Sequence, residues 1–174
     1  EIYQCDWSSD VCSSDLIGGW HSDKDLFRWD YPAIAELRSR VDQATQEMTV
    51  QVCGEAIKGK QAEVGLTGWA NVSRDGAYNG IHSHPEATWS GSYYVSLGER
   101  DGSDPHSGVI EFLDPRAGVD AVQIPGKPFG AELQINPQAG TMLLFPSWLK
   151  HWVHPFRGRG ERISIAFNVE LRFR

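Results

Sequence analysis

From Asp30 to Met48, apolar residues recur at threes and fours. Ile34, Leu37, Val41, Ala44 and Met48 form the series, with Glu, Arg, Asp and Gln between them. That spacing lays one apolar stripe along a helix. Asp30 stands where a capping side chain would, and Pro32 is tolerated in a first turn, where no N–H partner is lost. A second, shorter helical piece is predicted over 50–57, ending near Gly59. Beyond it the texture changes. Short runs rich in Val, Ile, Trp, Tyr and Phe alternate with Gly, Pro, Asp and Asn. They predict strands over 63–73, 79–84, 89–97, 108–113, 119–124, 131–136, 141–145, 151–154 and 161–172. Short strands at this spacing predict a mainly β fold of the sandwich, barrel or jelly-roll type, not a βαβ sheet. The helix is expected to pack across one sheet. No internal repeat or Pro/Ser-rich linker divides the chain, which reads as one domain.

The last strand, ERISIAFNVEL, is the most informative. Ile163, Ile165, Phe167 and Val169 make one apolar face; Arg162, Ser164, Ala166 and Asn168 make the other. A solvated outer face would carry more long charged residues. Small polar residues in alternation read as the lining of a cavity, with the apolar face turned to neighbouring structure.

Composition changes this picture little. The 174 residues can bury a substantial core. No run of about 18 apolar residues predicts a membrane-spanning helix. The net charge is −7 with His neutral, and no basic cluster suits a phosphate backbone, so neither nucleic acid nor membrane is an expected partner.

The first sixteen residues, EIYQCDWSSDVCSSDL, stand apart: polar, aperiodic, and ending abruptly at IGGWHSD. Back-translated with suitable codons, DWSSDVCSSDL resembles the read-through of a short-read sequencing adapter, and EIYQC fits its index segment. Residues 1–16 are therefore expected to be a non-native segment, and 17–174 a single domain whose own N-terminus is cut short. Setting the segment aside removes Glu1, Asp6, Asp10 and Asp15, which takes the charge from −7 to −3. It also removes Cys5 and Cys12. Cys53 then stands alone, no disulfide framework exists, and a reducing cytoplasm is the expected compartment.

Candidate chemistry starts at IHSHPE, where His82, His84 and Glu86 alternate over five positions and share one face if the backbone is extended. A facial metal site takes two ligands from one strand and another from a neighbour, leaving positions open. FPSWLKHWVHPF supplies His151 at the start of a short strand; His154, three residues on, falls on the opposite face. Further along stand Arg162 and Ser164. A guanidinium grips a carboxylate with two parallel hydrogen bonds, and a hydroxyl on the same strand face adds another. A metal at one point and a carboxylate anchor at another suit a 2-oxo dicarboxylic acid.

Taken in order, WANVSRDGAYNGIHSHPEATWSGSYYV, SGVIEFLDPR and GTMLLFPSWLKHWVHPF followed by ERISIAFN resemble the Fe(II)/2-oxoglutarate-dependent oxygenases. The likeness is nearest to a small bacterial and phage branch, over about residues 69–168. The resemblance implies a double-stranded β-helix, a cupin-like jelly roll. It implies Fe(II) on His82, His151 and one further residue, and 2-oxoglutarate held by Arg162 and Ser164. Tyr94, or else Tyr93, matches the tyrosine that helps hold the far carboxylate. The implied reaction is a dioxygenase's: 2-oxoglutarate and O2 consumed, succinate and carbon dioxide released, and a C–H bond of an unidentified prime substrate attacked.

Most such enzymes carry His-x-Asp or His-x-Glu, whereas this chain reads His82-Ser83-His84. Either His82, His84 and His151 form a three-histidine site, or His84 and Glu86 act with His151 and His82 stands behind the metal. Pro85 marks a strand end and turns the balance toward three histidines. Three-histidine iron also occurs in cupin thiol dioxygenases that use no 2-oxoglutarate, which is the enzymatic rival; a non-catalytic jelly-roll binding module is the other. His21 and His106 read as loop residues, Arg116 as the partner of a carboxylate in its own turn, and Trp69, Trp89, Trp148 and Trp152 as core or rim. The stretch from Gly98 to Gly108 has the composition of a flexible lid.

Overall fold

The structure, a computed structural model, describes residues 15–121, 124–126, 130 and 133–174. Two short strands, β1 (Leu16–Ile17) and β2 (Trp20–His21), lead through a 3-10 turn at Leu26–Arg28 into helix α1 (Pro32–Cys53). A 3-10 turn at Gly54–Ile57 follows, then β3 (Ala62–Ser73), β4 (Tyr78–His82), β5 (Trp89–Arg100) and β6 (Ile110–Phe112). A 3-10 turn at Val119–Ala121 precedes β7 (Leu133–Ile135), β8 (Met142–Pro146), β9 (His151–Val153) and β10 (Gly158–Phe173). The strands form two five-stranded sheets, ordered β1-β4-β9-β6-β7 and β2-β3-β10-β5-β8. All their pairings are antiparallel. This is the jelly roll that the family resemblance implies, and one of the mainly β folds that the strand pattern predicts. Among the described residues no helix is long and apolar enough to cross a membrane.

Three local expectations change. Tyr31, in extended backbone, precedes the first turn of α1 and no side chain caps it, so Asp30 has no capping role. The helix runs unbroken to Cys53, and Gly54 at φ +51 ends it; 50–57 is thus the helix's last turn plus a 3-10 turn, not a second helix. The strand predicted over 119–124 is instead a 3-10 turn at Val119–Ala121. Gly118 at φ +77 reverses the chain there and its carbonyl accepts from the Ala121 N–H at 3.2 Å. Val122 and Gln123 of that stretch lie outside the described residues, as do residues 1–14 of the segment set aside above, and Ala131 and Glu132 ahead of β7.

β10 runs through the centre of the second sheet, the larger of the two because it holds the long strands β3, β5 and β10, and pairs with β3 on one side and β5 on the other. Its two faces divide as its sequence predicts. Ile165, Phe167 and Val169 pack with Trp89 of β5, Leu26 and Phe27 of the first 3-10 turn, and Leu37 and Val41 of α1 in one buried cluster. The helix therefore covers the outer face of the larger sheet. Gly91 on β5 makes this fit possible, because a Cβ there would collide with the Phe167 ring and the Leu143 carbonyl. The buried stripe of α1 also includes Thr45 and Thr49, which a purely apolar reading passes over. Thr49 accepts the Trp89 indole N–H at 2.9 Å and donates to the Thr45 carbonyl at 2.7 Å. A second cluster, Ile110, Phe112 and Phe145, brings the two sheets together.

Candidate active site

The inner face of the larger sheet and the facing smaller sheet enclose the predicted residues. β4 pairs with β9 so that His82 and His151 stand directly opposite each other. Their rings are 4.2 Å apart, and His84, just past the end of β4, lies 4.9 Å from His82 and 5.4 Å from His151. One nitrogen from each of the three rings falls within 4.8 Å of the others. Glu86 is not brought in. Pro85 and Glu86 form an exposed turn in which the Ala87 N–H bonds the His84 carbonyl. The site thus gathers three imidazoles, and the His84–Glu86 alternative has no geometric support.

The rings are oriented from behind. His82 Nδ1 meets the Gly80 carbonyl at 2.7 Å, and His151 Nδ1 meets the Leu149 carbonyl at 2.9 Å. A carbonyl can only accept, so each Nδ1 carries a proton and Nε2 is the nitrogen left to face the cavity; on His151, kept neutral by its burial, that nitrogen keeps a free lone pair. His84 Nδ1 faces the side-chain amide of Asn168 at 3.5 Å, and Ser90 donates to that amide's oxygen at 2.8 Å. Burial, reinforced by the neighbouring His82, holds His84 and His151 down at about 4, so both are neutral at ordinary pH. Neutral imidazoles with available lone pairs are what Fe(II) requires of such a donor set. Asp15, from the segment expected to be non-native, reaches the same place, with an oxygen 3.1 Å from His82 Nε2 and 2.7 Å from Asn79 Nδ2.

A cation sits further along β10. Arg162 is 3% exposed, Ser164 is buried, and Tyr94 of β5, 1% exposed, pairs across to Ser164 on the same face. Tyr93 points the other way, into the cluster beneath α1. The Arg162 guanidinium lies 5.3 Å from the centre of the Tyr94 ring. Arg162 Nε and the Tyr94 hydroxyl are buried without a hydrogen-bond partner; the two groups are neighbours, but their geometry falls short of a bond. Burial raises the Tyr94 phenol and lowers the Arg162 guanidinium from their ordinary values. A buried charge with no counter-charge is strongly unfavourable, and an incoming carboxylate would satisfy both orphaned groups. The residues present therefore fit a dianionic acid at this end as well as a metal at the other.

The strand sets the spacing of the two ends. Ala166, the next inward position after Ser164, pairs with Trp69, whose ring lies 6.2 Å from that of His84. One inward position to the next is roughly 7 Å along a strand, comparable to the span of a five-carbon diacid. The stretch from Gly98 to Gly108 is no loose lid. Ser107 is buried and exchanges hydrogen bonds with Arg157 across the gap, and Asp101 bonds the Arg157 carbonyl as well. Gly108, at φ +65, lies directly over Arg162.

The remaining candidates fall outside this constellation. His154 takes the opposite side of its strand, 2.7 Å from the buried carboxylate of Glu111, with His106 stacked on it at 5.1 Å. Arg116 pairs with Asp114 at 2.6 Å. His21 bonds the Ser22 carbonyl, and Trp148 is exposed. Nothing in the sequence marks the roles of Ser90 and Asn79, which depend on cross-strand neighbours.

The profile of the family described as "Putative 2OG-Fe(II) oxygenase" matches residues 67–168, more than half of the chain. Among solved structures, a prolyl hydroxylase from Trichoplax adhaerens, in complex with a hypoxia inducible factor peptide, superposes with a TM-score of 0.61. Its identity is 17%, over 92% of this chain and 66% of that one. A prolyl-4-hydroxylase from Pseudomonas putida superposes with a TM-score of 0.57 at 18% identity, over 88% of this chain and 71% of that one. At such identities the likeness is one of fold. No curated protein matches in sequence.

Proposed function

The chain belongs to the 2OG-Fe(II) oxygenases, and on that footing we propose that it is a hydroxylating dioxygenase whose Fe(II) is held by His82, His84 and His151. Family membership brings Fe(II) and 2-oxoglutarate as cofactor and cosubstrate, with O2 and a prime substrate as the other reactants. The observation that carries the proposal is the pairing of three converging imidazoles with a buried, uncompensated guanidinium inside one jelly roll.

His82 and His151 would present Nε2, their Nδ1 protons being committed to Gly80 and Leu149. Arg162, Ser164 and Tyr94 would hold the far carboxylate of 2-oxoglutarate, which leaves its keto-acid end toward the histidines. Held by the histidines, Fe(II) would supply the oxidising chemistry, in which 2-oxoglutarate and O2 would yield succinate, carbon dioxide and an oxidised substrate C–H bond. Buried Phe112 and Phe145 wall that end beside His151, and buried Trp69 lies beside His84.

The test is anaerobic addition of 2-oxoglutarate to the Fe(II)-loaded protein. A weak visible charge-transfer band is expected as the keto acid chelates iron. Iron bound with no band and no 2-oxoglutarate uptake would instead favour a three-histidine dioxygenase of the cupin type.

A further inference from the structure

Arg162 is not alone at the closed end of the cavity. Arg100, the last residue of β5, brings a second guanidinium there. Its Nη2 is buried and has no hydrogen-bond partner. It lies 3.9 Å from the point a Cβ on Gly108 would occupy, a point 3.1 Å from Arg162 Nε. Arg100 is also close enough to act on the Arg162 guanidinium as a like charge. Among the described residues, neither arginine forms a salt bridge with a carboxylate. Two like charges beneath one buried cover repel each other unless an anion lies between them. The orphaned atoms, Arg100 Nη2, Arg162 Nε and the Tyr94 hydroxyl, are all hydrogen-bond donors.

We propose that Arg100 is a second cationic anchor for the far carboxylate of 2-oxoglutarate, so that the anion is gripped by two guanidiniums rather than one. The inference rests on the 2-oxoglutarate reading above and adds a specificity determinant to it. A pocket whose two cations pair with no carboxylate among the described residues would discriminate against 2-oxo acids whose far end is uncharged, such as 2-oxopentanoate. Arg100 would be a binding residue, with no part in holding the metal.

The experiment is calorimetric titration of 2-oxoglutarate into the anaerobic Fe(II)-loaded full chain, comparing wild type with Arg100→Gln and Arg100→Lys. Losing one charge-assisted hydrogen-bond donor is expected to weaken Kd roughly 10- to 100-fold in Arg100→Gln. Fe(II) affinity should be unchanged, and Arg100→Lys should recover part of the loss. Wild-type protein provides a check independent of any variant: saturating 2-oxoglutarate should protect Arg100 from phenylglyoxal, read by peptide mass spectrometry. Affinity within about twofold of wild type in Arg100→Gln, or labelling of Arg100 unchanged by 2-oxoglutarate, overturns the second anchor and leaves the 2-oxoglutarate reading standing. Wild-type protein that binds iron but no 2-oxoglutarate overturns both.

Discussion

His82 and His151 face each other across the β4–β9 pair, and each ties its Nδ1 to the carbonyl two residues before it. Strand pairing brings the rings together and the carbonyl bonds turn them, so two Nε2 atoms converge using backbone alone. His84 lies beyond the strand end and has only the Asn168 amide behind it, at 3.5 Å.

Replacing any of the three histidines by Ala should cost more metal affinity than the roughly 10- to 100-fold typical of losing a hydrogen-bond partner behind a ligand. Glu86→Ala should leave affinity unchanged, because Glu86 is exposed and outside the cluster. Competition with a chelating dye measures both. A large loss in Glu86→Ala with none in His84→Ala would defeat the three-histidine assignment.

Acid should weaken the metal-free fold through this cluster. His84 and His151 sit at about 4, below the ordinary 6.5, so the unfolded chain takes up protons first as pH falls. Their effect is absent above about 6.5, grows down to about 4 and is complete below that. Urea midpoints across that window should fall more steeply in wild type than in a His84→Asn, His151→Asn double variant. Parallel slopes would argue against depressed histidines.

Gly108→Ala adds a Cβ 3.1 Å from Arg162 Nε at a backbone φ of +65. Strain from a non-Gly residue in that region is on the order of 1–3 kcal/mol. The variant should lose stability to denaturant and bind 2-oxoglutarate more weakly, with Fe(II) binding retained. Equal loss of both ligands would point to general unfolding instead.

Thr49→Val removes the acceptor of the buried Trp89 indole N–H. An unsatisfied buried donor costs about 1–3 kcal/mol, so the urea midpoint should drop with no change in m-value. The site lies on the other face of the sheet, and metal affinity should stay at the wild-type level.

Removing residues 1–16 should leave the three-histidine site competent. It takes away the Asp15 oxygen next to His82, but none of the imidazoles or the carbonyls that orient them. Fe(II) affinity of the shortened chain, compared with the full one, measures this. A collapse in affinity would mean that Asp15 is a true ligand and the segment native.

The sequence showed most of this architecture where a side chain reports its own surroundings. The alternation in β10 marked a cavity face and a core face, and the series from Ile34 to Met48 marked the docked helix. It was silent where a residue's meaning depends on a distant neighbour. Thr45 and Thr49 look like surface residues until Trp89 arrives against them. Leu26 and Phe27 sit in a 3-10 turn too short for any periodicity to reveal. Arg100 falls beyond the strand predicted over 89–97, in the stretch read as a lid, and only the extension of β5 and the fold of 101–108 over β10 put it beside Arg162. The choice between His84 and Glu86 turned on Pro85, whose local effect was legible, but the exposed turn it starts was not.

The cover over Arg162 has a steric meaning. With Ser107 fastened to Arg157 and Gly108 set directly over the guanidinium, the far end is bounded by backbone, which cannot rotate aside as a side chain can. On the proposed reading, a bound acid would meet a fixed stop there, so its chain length would be gauged at the arginine before anything happens at the histidines.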